Sequence, residues 1–248
     1  MPFLTANIST ANWYANTTNT GTSCTMSFAS VPPKGTFLVA AFSYNGGSQT
    51  MTTPSGWTLA ANRDFASNAR SIVTYVKWAD GSELSVTGAT TSATGVAGVA
   101  IGLSGICPHS NGLTSLVTSN TATNVGTNVI GWNFGNTTSP NADFSSFDDA
   151  PALIVASCGA NASLNAVGWT AFMGSGSTSS DNKVVYCTGA SNGSSAALAL
   201  LGVSGNNTSP RWAAPYWTNT SVANRTGAST AFVLRPVSGT LASMGMGS

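Results

Sequence analysis

The one histidine of the chain, His109, stands two positions after Cys107, and a thiol beside an imidazole is the raw material of a nucleophilic pair. Such pairs are assembled by the fold from distant segments, so residues this close in sequence read instead as a loop after a strand. Gly102-Leu103-Ser104-Gly105 approaches the nucleophile elbow G-x-S-x-G, but Ile106 stands where its last glycine belongs. The pattern returns at Gly202-Val203-Ser204-Gly205 with no histidine beside it, which points to a strand ending in a turn. Asp143, Asp148 and Asp149 form the one acidic cluster, yet neighbouring carboxylates on an extended chain point opposite ways and cannot serve one glycosidic bond. With Ser145 and Ser146 they offer oxygens to a calcium ion, but in no spacing a calcium loop uses, so a solvated turn is expected. Asp64, Asp80 and Glu83 lie beside Arg63 or turn residues and read as surface groups. Gly174-Ser175-Gly176-Ser177 lacks the third glycine of a dinucleotide loop, and no Gly-Lys-Ser/Thr phosphate loop exists. No catalytic residue, metal site or cofactor is therefore expected.

The segment Pro210-Arg211-Trp212-Ala213-Ala214-Pro215-Tyr216-Trp217-Thr218-Asn219 sets three large aromatics among polar residues. Closure of a sandwich accounts for them structurally. As binding groups, Trp212, Tyr216 and Trp217 are candidate contacts to a protein partner or, second, to stacked sugar rings. Trp57 and Trp169 recur at matching places in the two halves of the chain and read as core.

These residues must be held by something, and composition restricts what. Only 6% of the 248 residues are charged and the net charge is +1, whereas 42% are hydrophobic, which excludes a disordered chain. Eight Lys and Arg with no cluster argue against nucleic acid as a partner. One glutamate and three lysines, with Gly or Pro every few residues, exclude long surface helices. The apolar stretches 96–107 and 196–203 are too short and too glycine-rich to span a bilayer, so no membrane segment is expected. The opening Met1-Pro2-Phe3-Leu4-Thr5-Ala6-Asn7 has neither a basic nor an apolar region of a secretory signal.

Short β-branched and aromatic runs between turn clusters predict strands at Phe37–Phe42, Ser71–Val76 and Leu153–Ala156, with alternation at Thr25–Phe28 and Val129–Phe134. Pro32-Pro33, Asn45-Gly46-Gly47 and Asp80-Gly81 mark turns. An internal echo runs through the chain. Phe37–Phe42, Gly56-Trp57-Thr58, Val73–Val76 and Gly102–Gly105 are answered in order by Leu153–Cys158, Gly168-Trp169-Thr170, Val184–Cys187 and Gly202–Gly205. The match sets Cys158 on Phe42 and Cys187 on Val76, which makes both cysteines core residues while leaving a bond between them open. The expected fold is all-β, a jelly-roll-like two-sheet sandwich built from two similar halves that interleave, with two sandwiches in tandem as the other arrangement. It is expected to form one domain over 1–238, with halves near 1–106 and 113–238 and a C-terminal tail over 239–248.

The runs Gly35-Thr36-Phe37-Leu38-Val39-Ala40-Ala41, Thr53-Pro54-Ser55-Gly56-Trp57-Thr58-Leu59, Val73-Thr74-Tyr75-Val76-Lys77 and Ile101-Gly102-Leu103-Ser104-Gly105, with the closing Ala231-Phe232-Val233-Leu234-Arg235-Pro236, resemble β-sandwich proteins of tailed bacteriophages. The resemblance covers most of 30–106 and the last strand, and its motifs concern packing. It implies a non-enzymatic virion component: a capsid decoration (cement) protein binding the lattice as an oligomer, expected to be a homotrimer, or else a receptor- or glycan-binding fibre or tail module. The major capsid protein or other virion subunits are the partners it implies. Assembly in the host cytoplasm would explain exposure to the outside without a signal peptide.

Overall fold

The computed structural model describes residues 14–45, 50–65, 70–93, 95–104, 117–120, 129–131, 152–160, 164–173, 183–187, 194–203, 211–219 and 227–234. All the regular elements among them are strands. The first half of the chain supplies β1 (Tyr14–Asn19), β2 (Ser23–Ser27), β3 (Phe37–Asn45), β4 (Thr58–Phe65), β5 (Arg70–Trp78), β6 (Ser85–Ala89) and β7 (Gly95–Leu103). The second supplies β8 (Val117–Asn120), β9 (Val129–Gly131), β10 (Ala152–Ala160), β11 (Leu164–Met173), β12 (Lys183–Cys187), β13 (Ser195–Val203), β14 (Arg211–Asn219) and β15 (Gly227–Leu234).

Two five-stranded antiparallel sheets face each other, ordered β1-β7-β3-β5-β4 and β12-β13-β10-β15-β8. The protein is an all-β sandwich. A two-stranded ribbon, β2-β6, covers the far side of the first sheet, and β11-β14-β9 form a third small sheet. The first sheet is therefore buried on both faces, which explains why β3 and β7 are nearly continuous apolar runs with every residue of β7 buried. The ribbon is covered on one face only. Its strands alternate, with Cys24, Met26 and Val86 inward and Thr25, Ser27, Ser85 and Thr87 outward.

Two cores result. Between the sheets lie Phe37, Val39, Ile72, Val76, Val99, Ile101 and Leu103 against Val155, Leu198, Leu200, Phe232 and Leu234. Between ribbon and first sheet lie Met26, Phe28, Leu38, Phe42, Tyr44, Trp57, Tyr75 and Val86. Trp57 is buried as expected; the side chain of Trp169 lies outside the described residues.

The halves do not interleave. Each five-stranded sheet comes from one half, and the halves meet face to face. Their likeness is real at the centre, where β3 pairs with β7 and β10 with β13, and it fails at the flanks. β5 lies beside β3, but β12 lies beside β13, and the place next to β10 is taken by the C-terminal strand β15. The four-residue echo Val184–Cys187 records strand character and buried bulk, neither of which selects a partner strand. The glycine motifs are also out of step. Leu38 pairs with Gly102 and Leu153 with Gly202, so matching Phe37 to Leu153 shifts the second motif by one residue and onto the other face.

The same register decides the cysteine pair. Cys158 and Cys187 sit opposite Ala197 from its two sides, two strand spacings or roughly 9.6 Å apart, beyond the ~7 Å limit of a disulfide. Their side chains lie outside the described residues, as do all atoms of the 239–248 tail. The jelly-roll winding depends on connections that also lie outside them.

Candidate functional site

The predicted chemistry falls in part on undescribed chain: Cys107, His109, Asp143, Asp148, Asp149 and Gly174–Ser177 lie outside the described residues. Gly102 and Leu103 close β7, so the Gly102–Gly105 motif begins at a strand end, while Gly105 lies outside the described residues. Among the described residues no three His, Cys, Asp or Glu side chains converge. The one described cysteine side chain, Cys24, is free and buried between ribbon and sheet, where burial pushes its thiol up to about 12. It is a packing group. Alkylation followed by peptide mapping should label Cys24 at least ~100-fold faster in denaturant than in buffer, since the thiolate is the reacting form; equal rates would contradict its burial.

Trp212, Tyr216 and Trp217 lie on β14, the central strand of the small sheet, opposite Phe172, Gly168 and Ile130 in turn. Strand alternation gives backbone positions 212 and 216 one parity and 217 the other. One strand therefore does not bring the three to a single platform. Their side chains lie outside the described residues. Pro215 falls one position beyond the end of the β9 pairing, where a missing N–H costs no ladder bond on that side.

Two polar constructions went unnoticed in the sequence. The first crosses the core between the sheets. Thr74 on β5 lies 2.7 Å, Oγ1 to Oγ, from Ser157 on β10, and Ser157 lies 2.7 Å from Thr230 Oγ1 on β15. Ser194 Oγ donates to the Gly95 carbonyl at 3.0 Å. At this end bulk tapers off: Ser43, Ala97, Gly159 and Ala196 replace the Phe37, Leu103 and Leu234 of the other end. Ser43 Oγ is wholly buried and has no hydrogen-bond partner among the described residues. A β-carbon at Gly159 would stand 2.5 Å from Ser43 Oγ and 3.0 Å from the Ser71 carbonyl oxygen, so only glycine lets the sheets approach here. Gly159→Ala should cost about 1–3 kcal/mol in urea unfolding. Ser43→Ala should be neutral or stabilise by up to about 1 kcal/mol, because it removes an unpaired buried hydroxyl; a loss above that would show an acceptor is in use.

The second construction gathers three turns at the other end of β5. Gly35, Gly56 and Gly81, at φ 87°, 76° and 93°, allow left-handed turns that non-glycine residues resist. Between them lies Glu83, with a side chain only 4% exposed, contrary to its expected surface role. Its carboxylate accepts from Lys77 Nζ at 2.7 Å and from the backbone N–H of Asp80, Gly81 and Ser82 at 3.1–3.3 Å. Burial alone would push the Glu83 carboxyl up, but the bonds from Lys77 and the Asp80 amide outweigh it and hold it below the usual range. Lys77 is held above its ordinary value, chiefly by the bond to Glu83. Asp80 is exposed, receives Ser82 Oγ and N–H, and stands 3.6 Å from Lys77. A clue existed in the sequence: the sole glutamate of a nearly uncharged chain follows the turn Asp80-Gly81-Ser82.

No family model, curated protein or solved structure matches this chain. The site must be read from its chemistry. Lys77 and Glu83 neutralise each other in a turn, and the seam hydroxyls Thr74, Ser157 and Thr230 are spent on one another. One continuous face that the described structure offers to solvent is the outer side of β2-β6, where Thr25 and Thr87 hydroxyls join at 2.8 Å between Ser27, Ser85 and Ser23. That face carries no charge.

Proposed function

We propose that this chain is a non-enzymatic structural protein that works by docking: a capsid decoration protein of a tailed bacteriophage, bound to the lattice as a homo-oligomer. The uncharged hydroxyl face of the β2-β6 ribbon carries the reading, together with the resemblance of the packing runs to phage sandwiches. Such a face lets many copies crowd together without the long-range repulsion of like charges. It also lies on a sheet fixed by cores on both sides, so little ordering is needed when it docks. Burial of surface across several subunits would tie them together without any reaction.

Particle biochemistry tests this. Purified virions should carry the chain in hundreds of copies, lost together with resistance to heat or osmotic shock when its gene is deleted; a handful of copies per particle overturns the decoration role. A receptor- or glycan-binding fibre module is the competing reading, resting on Trp212, Tyr216 and Trp217. Binding of host surface polysaccharide that disappears in Trp217→Ala would favour it.

A further inference from the structure

All the strand pairs of the described structure lie within one half of the chain. β1, β3, β4, β5 and β7 pair among themselves, as do β2 and β6, and β8 to β15 pair only with one another. Between the described halves the chain crosses once, through residues 104–116. What holds the halves together is a face-to-face contact with the anatomy of a protein interface. It has an apolar centre in Val39, Ile101, Leu200 and Phe232, and hydroxyl bridges from Thr74 to Ser157 and from Ser194 to the Gly95 carbonyl. With strands of four to nine residues at about 3.4 Å per residue, spaced about 4.8 Å apart, the two faces have footprints of roughly 600–700 Å², somewhat below the ~800 Å² per partner of a standard interface.

We propose that copies of this chain join by exchanging halves, the β8–β15 half of one copy packing on the β1–β7 half of another. The proposal rests on the oligomeric part of the reading above and adds how the copies are linked. Among the described residues exchange breaks no strand pairing and re-forms the same seam, so for them closed and exchanged states differ only in which copy supplies each half and in the cost of association. A tethered half competes at an effective concentration of about 1 mM, so exchange belongs to concentrated protein or to a crowded lattice. Passing halves around a closed ring gives a finite oligomer, and a ring of three gives a trimer.

The test uses the full chain carrying Thr74→Cys and Ser157→Cys, whose native oxygens are 2.7 Å apart and so place the β-carbons near disulfide range. The single variants control for bonds to the native thiols. Assembled at about 1 mM and then oxidised, the double variant should run as covalent oligomers at least about tenfold more abundant than after assembly at about 1 μM. Covalent monomer at every concentration overturns the proposal. A second measurement needs no new cysteine: a protease site between Asn111 and Gly112 is cut in the assembled oligomer. An exchanged oligomer falls to single-unit size, because the cut severs the one chain crossing between the described halves. Unchanged size overturns exchange and leaves the oligomeric reading standing, whereas protein monomeric at about 1 mM overturns exchange and counts against that reading as well.

Discussion

Phe42→Ala is expected to lower stability by about 4 kcal/mol, at the large end for a buried aromatic. The ring lies between ribbon and first sheet, edge-on to Tyr75 at 6.2 Å between centroids. Above it, a β-carbon at Gly88 would stand 2.5 Å from its Cδ1, and below, one at Gly98 would stand 3.0 Å away. Two glycines thus make the slot the ring fills. Collapse of the resulting cavity is resisted because the ribbon is stiffened strand to strand at both ends, Phe28 N–H to the Leu84 carbonyl and Thr90 N–H to the Thr22 carbonyl, and is tied to the 50–53 segment by Thr52 N–H to the Ala89 carbonyl. Gly88→Ala in the native background should cost about 1–3 kcal/mol through overpacking. In the Phe42→Ala background the same methyl enters empty space and should cost nothing or stabilise. Urea unfolding of the four proteins in the cycle measures this coupling, and simple additivity would show that ring and glycine do not share the slot.

That slot also shows what could be read from the sequence. The strand at Phe37–Phe42 was legible because β-branched and aromatic residues between turn clusters suit a pleated buried surface. The clean alternation of Thr25–Phe28 announced a strand with one inward face, as the ribbon has, whereas burial of β3 on both faces emerged only with the two layers that cover it. What escaped was everything that depends on partners distant in sequence. The echo between halves matched runs that lie in β3 and β7 with runs in β10 and β13, but it named no pairing, and its match of β12 to β5 does not carry over to the sheet, because a run such as Val184-Val185-Tyr186-Cys187 fits any buried place in a sheet. Nothing local to Ser157 or Thr230 announces a role, and only the register that sets them side by side and opposite Thr74 makes them a buried bridge. Ser43 and Gly159 are separated by more than a hundred residues, so no local pattern could have announced the close approach of the sheets.

Glu83 was misread for the same reason, and it makes the sharpest electrostatic prediction. Glu83→Ala should cost about 3–4 kcal/mol, because it strands the half-buried Lys77 ammonium and leaves amides of the 80–82 turn without their acceptor. Glu83→Gln keeps an acceptor oxygen but loses the charge, and should fall between. The pH dependence has a definite sign. The native Glu83 carboxyl is held below its unfolded value, so its contribution is complete above about pH 4.3 and is lost as pH falls through the lowered native pKa. Lys77 is raised, so its contribution is complete below about pH 10.4 and is lost as pH rises through the raised native pKa. Asp80 is lowered too, mainly by its Ser82 bonds, but in full solvent it adds little. The native protein should therefore lose urea resistance between about pH 5 and pH 2 more steeply than Glu83→Gln, the difference isolating this carboxylate from the other acids of the chain. Parallel profiles would mean that the turn folds around Glu83 without drawing stability from its charge, and the hydrogen bonds of the backbone amides would then have to hold the three glycine turns together alone.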